Sequence, residues 1–366
     1  MKSKKILEVC LSPDLGGLEL YMSRCSNELS KEFELFCVVS KSSKLKDYLD
    51  NALEVFELKR KSSFSLLSSL KLAKIIDEKG IDIVHLHWTK DIPIVVFAKI
   101  FSKRKPKIVQ TRHMTMTRFK DDFYHKFLYK NIDTIICVTK TLEQQIEMFI
   151  PKKIRPETKT LYLGAENAEF FSKEEIQSFK DKFKIKDSFM ISLIGRINEF
   201  KGQHLLIDAI KELKRKNLNI KAYIIGHAMS QEYLDKLKQK VTNDKLNELI
   251  TFVGFSKEVN KFMQACDVVL MTSKNETFGL VTIEAMKNQT AVIASNSGGS
   301  LEIVENEKTG LLFKSEDSHD LALKIEKLYD NPDFKNYLAK NGKNRADELF
   351  DEKKQFVKLC KLFETI

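Results

Sequence analysis

Short runs rich in Val, Ile and Leu alternate with helix-patterned segments along the whole chain, and this alternation constrains the fold more than any other feature. Strand-like runs fall at 6–11, 33–39, 81–87, 107–112, 134–139 and 159–163, and again at 189–194, 221–225, 250–253, 267–272, 290–294 and 310–313. Most are continuously apolar rather than alternating, the pattern of strands covered on both faces. Between them, Leu18, Tyr21, Met22, Cys25 and Leu29 fall on one helical stripe, as do Leu205, Leu206, Ala209, Ile210 and Leu213. Strands alternating with helices predict parallel sheets joined by right-handed crossovers. The expected fold class is therefore α/β: two doubly wound, Rossmann-like parallel-sheet domains facing a central cleft.

A chain of 366 residues is long enough for two cores. The polar stretch 164–186 carries no strand pattern and precedes a fresh strand, so the break belongs there. The predicted organisation is an N-terminal domain over 1–168, a C-terminal domain over 169–348, and a terminal helix over 349–366 that packs back toward the N-terminal domain. The helical stripe of that last segment is Phe356, Leu359, Cys360 and Phe363.

No apolar stretch approaches the ~20 residues a spanning helix needs, and the start of the chain lacks the apolar core of a secretory signal. The six cysteines, Cys10, Cys25, Cys37, Cys137, Cys266 and Cys360, are scattered without a C-x-x-C pair, which suggests buried free thiols in a reducing cytoplasm. The net charge of +11 is uneven: residues 1–170 hold 30 Lys and Arg against 22 Asp and Glu. Lys59-Arg60-Lys61 and Lys103-Arg104-Lys105 stand out, and such a basic half suits an anionic partner such as nucleic acid, lipid headgroups or a phosphorylated glycan.

In open parallel sheets ligands bind beyond the carboxyl ends of the strands. The first run is followed by Gly16-Gly17 and a helix, a turn that admits an anion close to backbone N–H groups. His87 and His113 each follow a strand. His85 and His87 alternate on one strand face, but zinc there would need further ligands that the sequence does not reveal. Gly195-Arg196 and Lys201-Gly202 bring two cations to a strand end and a helix start, a setting for a diphosphate. Glu276 lies in the loop after the fourth strand of the second half, and Glu284 lies on the helix that follows. With a helix starting near Gly279, Glu284 is ~7–8 Å along it at ~1.5 Å per residue. Two carboxylates at such a spacing also suit the acid and base of a glycoside hydrolase, but the parallel-sheet context and the phosphate-friendly loop argue against that reading.

These residues resemble glycosyltransferase family 4, retaining enzymes of the GT-B fold. The signature E-x7-E corresponds to Glu276 and Glu284 in E-T-F-G-L-V-T-I-E-A-M. The Gly-Arg…Lys-Gly element corresponds to Gly195-Arg196…Lys201-Gly202, and the G-G-x-E loop to Gly16-Gly17-Leu18-Glu19. V-H-x-H corresponds to Val84-His85-Leu86-His87, T-x-H to Thr111-Arg112-His113, and S-x-x-G-G-x-x-E to the run around Ser297-Gly298-Gly299 and Glu302. Departures include Gly226-His227-Ala228 where the family has G-x-G, and Lys287-Asn288-Gln289-Thr290-Ala291 after E-A-M.

The resemblance implies donor binding by Gly16, Gly17, Gly195, Arg196, Lys201, His227, Glu276, Phe278, Gly279, Leu280 and Glu284. Of these, Arg196, Lys201 and Glu276, together with His113, would carry catalysis, with Glu19 and His87 on the acceptor side. His113 would contact the sugar or its leaving phosphate. No metal and no cofactor would be required beyond a nucleotide-diphosphate sugar as co-substrate, UDP being favoured. The acceptor would be a glycan or lipid-linked precursor of bacterial surface polysaccharide or lipopolysaccharide. The enzyme would work in the cytoplasm in peripheral contact with an anionic membrane, and nucleic acid is not an expected partner. A nucleotide-sugar epimerase on the same fold and a non-catalytic nucleotide-binding protein are the alternatives. An NAD dehydrogenase lacks its glycine fingerprint.

Overall fold

The computed structural model describes residues 4–60, 65–183, 185 and 188–366. The chain divides into two compact units, residues 1–162 with 353–366, and residues 163–352. The division thus falls a few residues before the expected boundary at 168/169, because Leu163 and Ala165 are already buried in the second unit.

The first unit holds strands β1 (Lys5–Cys10), β2 (Glu34–Ser40), β3 (Glu54–Leu58), β4 (Ile83–Leu86), β5 (Lys107–Arg112), β6 (Thr134–Cys137) and β7 (Glu157–Thr160). They form one parallel sheet in the order β3-β2-β1-β4-β5-β6-β7. β4 and β6 are buried at every position, His85 and Thr134 included, as strands with helices on both faces are. β3 was not expected. It is an edge strand, E-V-F-E-L, only half buried, with Lys46 and Lys79 paired to its glutamates. A strand with one neighbour does not need the continuous apolar run that marks the others. β7 begins two residues earlier than its apolar pattern suggests.

The second unit holds β8 (Phe189–Ile194), β9 (Ile220–Ile225), β10 (Ile250–Gly254), β11 (Val268–Met271), β12 (Ala291–Ser295) and β13 (Leu311–Phe313), all parallel, in the order β10-β9-β8-β11-β12-β13. Its helix Gln203–Lys214 buries the predicted stripe of Leu205, Leu206, Ala209, Ile210 and Leu213. Each fully buried Leu or Ile is worth ~1.5–3 kcal/mol against exposure. The stretch 164–186, read as strandless, contains the helix Lys173–Lys182.

The terminal helix Glu352–Thr365 groups, from Lys353 on, with the first unit. Phe356 stacks on Tyr21, and Phe363 meets Phe33 and His85 edge-on. Lys4 Nζ donates to the carbonyls of Phe363 and Glu364 at 3.0 and 2.8 Å, satisfying acceptors that every helix end leaves open. All the cysteines are free; five are buried and Cys360 is partly so. Among the described residues no helix is long and apolar enough to cross a membrane. Lys61, part of one basic cluster, lies outside them. Of the rest, Arg104 pairs with Asp82 at 2.6 Å, and Arg60 lies 4.3 Å over the Trp88 ring.

In each unit the strand order reverses once, between β1 and β4 and between β8 and β11. Loops diverge at such switch points and open a crevice at the strand ends. The candidate residues must be judged by what lies there.

Candidate active site

In the second unit the chain leaves β8 through Gly195 (φ +147°) and leaves β9 through Gly226 (φ +146°). A Cβ on Gly226 would lie 1.9 Å from the Gly195 carbonyl oxygen, so the two exits run too close for a side chain. Arg196 follows. Its carbonyl accepts from Gln203 Nε2 at 3.0 Å, which anchors the backbone. Its guanidinium is exposed and has no hydrogen-bond or ion-pair partner among the described residues. His227, also exposed, sits alongside, its carbonyl accepting the Ile197 N–H at 2.9 Å.

Lys201 closes a short turn that ends at Gly202 (φ +69°), where a Cβ would meet the Thr272 carbonyl at 2.3 Å. Thr272 Oγ1 donates to the Lys201 carbonyl at 2.7 Å, and Lys274 N–H donates to that of Phe200. The β8 loop is thereby stitched to the loop after β11. Across this seam Lys201 Nζ pairs with Glu276 Oε2 at 2.5 Å, and Ser273 Oγ donates to the same oxygen at 3.1 Å. The two cations and Glu276 predicted from separate stretches of sequence are therefore gathered at one switch point.

The Glu276 loop is held from behind by the end of β12. Ser295 Oγ and Ser297 Oγ each donate at 2.7 Å, to the carbonyls of Ser273 and Lys274. Gly299 N–H donates to the Glu276 carbonyl at 2.8 Å. At Gly298 (φ +56°) a Cβ would lie 2.1 Å from that same oxygen. Gly279 (φ +105°) then starts the helix Leu280–Lys287, with Glu284 in its second turn. Its first-turn N–H groups carry the partial positive charge of a helix start. Phe278 is buried against Phe350, with ring centroids 6.0 Å apart. Leu280 is half-buried at the helix start.

In the first unit Gly16 caps the helix Gly17–Leu29, and Gly17 opens it. A Cβ on Gly17 would meet nothing within 4 Å, so packing does not demand a glycine there. Glu19 is buried, and its carboxylate accepts the Gly16 N–H at 2.9 Å. It thereby caps its own helix. Asp91, buried after β4, accepts the Leu11 N–H at 2.8 Å and so ties down the exit of β1. Burial pushes its carboxyl up to about 7, against the Leu11 N–H and Arg60, which favour the charged form.

The main departure from expectation is Glu8. It lies in the middle of β1, fully buried, where the sequence reads as one more apolar run. Its Oε1 lies 2.8 Å from His85 Nδ1 and its Oε2 lies 2.6 Å from His87 Nε2. His85 Nε2 meets Thr111 Oγ1 at 2.7 Å, and His87 Nδ1 meets His113 Nε2 at 3.4 Å. Burial would raise the Glu8 carboxyl, but His85 and His87 outweigh it and hold it at about 2. Burial, then the neighbouring His85, lowers His87 to about 4 in spite of Glu8. Burial and the other two imidazoles likewise hold His113 well below the usual histidine range. Near neutral pH the site thus contains a carboxylate with uncharged His87 and His113. The signal for Glu8 was a lone ionisable residue inside a strand covered on both faces, where an unpaired charge is prohibitively unfavourable.

Glu8 and Cys25 are the further ligand types that the sequence left unfound, and with His85 and His87 they bring four donor atoms within 4.8 Å of one another. The spacing is that of hydrogen bonds rather than of a metal cage. Two ligands on one zinc ion, each ~2.1 Å from it in a tetrahedron, lie ~3.4 Å apart, against 2.6 and 2.8 Å for the contacts of Glu8 to His87 and His85. Burial also pushes the Cys25 thiol well up, away from the thiolate that binds metals.

This architecture has known counterparts. Residues 173–345 match the family model of Glycosyl transferases group 1, and residues 8–139 match that of Glycosyl transferase 4-like proteins. The chain is a glycosyltransferase of the GT-B, family 4 type. It is 28% identical to a glycosyltransferase of Methanocaldococcus jannaschii over 93% of this chain and 92% of that one. It is 25% identical to the capsular polysaccharide biosynthesis glycosyltransferase CapM of Staphylococcus aureus, over 92% and 90% of the two chains. Among solved structures, Anabaena Alr3699/HepE in complex with UDP and glucose superposes with a TM-score of 0.86 at 22% identity, covering 99% of this glycosyltransferase and 100% of HepE.

Proposed function

We propose that this glycosyltransferase moves a hexose-type sugar from a nucleotide diphosphate, UDP in preference to other nucleotides, to a glycan or lipid-linked acceptor of bacterial surface polysaccharide or lipopolysaccharide. Transfer retains anomeric configuration and needs no metal ion. The observation that carries the donor chemistry is the pairing of an unpartnered Arg196 guanidinium with Lys201 at the switch point of the second unit. A guanidinium fork fits two phosphate oxygens, an ammonium supplies a point charge, and the N–H groups at the start of the helix Leu280–Lys287 add a third source of positive potential. These groups neutralise the charge that develops on the departing nucleotide diphosphate, the task a divalent ion performs elsewhere. Glu276 is poised to accept sugar hydroxyls and Glu284 to accept ribose hydroxyls. The UDP-bound HepE and the capsular role of CapM support the choice of nucleotide and pathway.

A thermal-shift series with UDP, GDP and ADP and their common sugars, each with and without EDTA, tests the donor assignment. A rise in Tm with UDP that survives EDTA is expected. A rise abolished by EDTA would overturn metal independence, and one confined to GDP or ADP would overturn the base. Retention is read separately, from the anomeric proton coupling of the product, and an inverted product would refute it.

A further inference from the structure

Resting on the transferase reading, we infer that buried Glu8 is a positioning residue: it sets the tautomers of His87 and His113 so that His113 presents a bare Nδ1, a hydrogen-bond acceptor that takes a carbohydrate hydroxyl and turns away a phosphate oxygen.

The argument follows the protons. Glu8 offers only acceptors, so each imidazole nitrogen facing it carries hydrogen: Nδ1 of His85 at 2.8 Å and Nε2 of His87 at 2.6 Å. A neutral imidazole holds one N–H. With that hydrogen on Nε2, His87 has a lone pair on Nδ1. The atom it faces, His113 Nε2 at 3.4 Å, is then the donor. His113 in turn has its lone pair on Nδ1, an atom with no partner among the described residues. Since His113 is only half-buried, a ligand can reach it. The chain is braced from the sides: Tyr21 meets both His87 and His113 edge-on, with centroids 5.8 and 5.1 Å away, and Phe363 packs edge-on against His85.

The consequence is one of specificity. An uncharged imidazole with a bare nitrogen outward repels the lone pairs of a phosphate and accepts a hydroxyl proton. Of the two contacts open to His113, sugar or leaving phosphate, the Glu8 network selects a hydroxyl-bearing group. No proton is lost in this arrangement. Glu8 acts through His87 and touches no substrate.

The tautomers can be read without substrate, by long-range proton–nitrogen correlation on protein with 15N-labelled histidine, in which protonated and bare ring nitrogens are well separated. His113→Asn assigns its signals. In the wild type, His87 and His113 are expected as Nε2–H forms and His85 as an Nδ1–H donor. Glu8→Leu removes both acceptors and should release His87 and His113 from their Nε2–H forms, so that a protonated His113 Nδ1 appears. Glu8→Gln keeps the shape with one oxygen for two N–H groups; there His85 should change alone, because the Thr111 hydroxyl against its other nitrogen can turn from donor to acceptor. A protonated His113 Nδ1 in the wild type would overturn the proposal. So would a folded Glu8→Leu protein with the His87 and His113 tautomers unchanged, a folded Glu8→Gln protein with all the tautomers unchanged, or stoichiometric zinc in the purified wild type lost on either substitution. Failure of every nucleotide to shift the Tm would count against the transferase reading and leave the tautomers as measured.

Discussion

Replacing Arg196 by Ala should lower the rate of sugar transfer about 10²–10³-fold, the loss usual when one pre-set donor to a developing anion is removed. The fold should not register the change. The guanidinium is exposed and without a partner among the described residues, and the backbone is anchored by Gln203 through the Arg196 carbonyl, which alanine retains. A stability change within ~0.5 kcal/mol is therefore expected. Arg196→Lys should recover only part of the rate, since a point charge replaces a planar fork. The measurement is kcat and KM with the donor selected by thermal shift, beside a melting curve of each variant. Transfer unchanged in Arg196→Ala would remove the diphosphate assignment. Lys201 is a less clean probe, because its ammonium also neutralises Glu276 at 2.5 Å, and its removal leaves that carboxylate unpaired.

Gly298→Ala should be strongly damaging for a single methyl. It would place Cβ 2.1 Å from the Glu276 carbonyl oxygen, in a left-handed conformation that side chains resist. The clash is with backbone, so no rotamer relieves it, and the loop carrying Glu276 must move. A loss of about 2–4 kcal/mol is expected, together with weakened donor binding, since Gly299 N–H also holds that carbonyl at 2.8 Å. Gly17→Ala is the control: open space surrounds its Cβ, and its stability should stay near that of the wild type. Equal denaturant midpoints for Gly298→Ala and Gly17→Ala would show that the loop yields freely and that Gly298 does not hold Glu276 in place.

Much of the fold was readable because a strand buried on both faces needs a continuous apolar run, and β5 and β8 span the residues that such runs predict. β3 escaped because an edge position relaxes that need. The same physics hid Glu8. In a run as apolar as β1, one carboxylate looks like noise unless its burial is taken to demand partners, and those partners lie far away, His85 77 residues on and His87 79 residues on. Phe278, which the resemblance places at the donor, packs beside a buried Phe350, a contact that no local pattern in the sequence predicts.

The sequence by itself specified the chemistry that short spacing can express: two cations around a β8 turn, a glycine opening a helix, and a glutamate in that helix's second turn. Local geometry dictates where such groups point, because a helix or a tight turn has few forms. Register across parallel strands settled the rest. It carried His85 of β4, and His87 just beyond that strand, beside Glu8 of β1, and it set Gly298 under Glu276. No local pattern encodes those meetings. They follow from which strands pair, and pairing is chosen by the burial of the whole apolar surface rather than by the residues that meet.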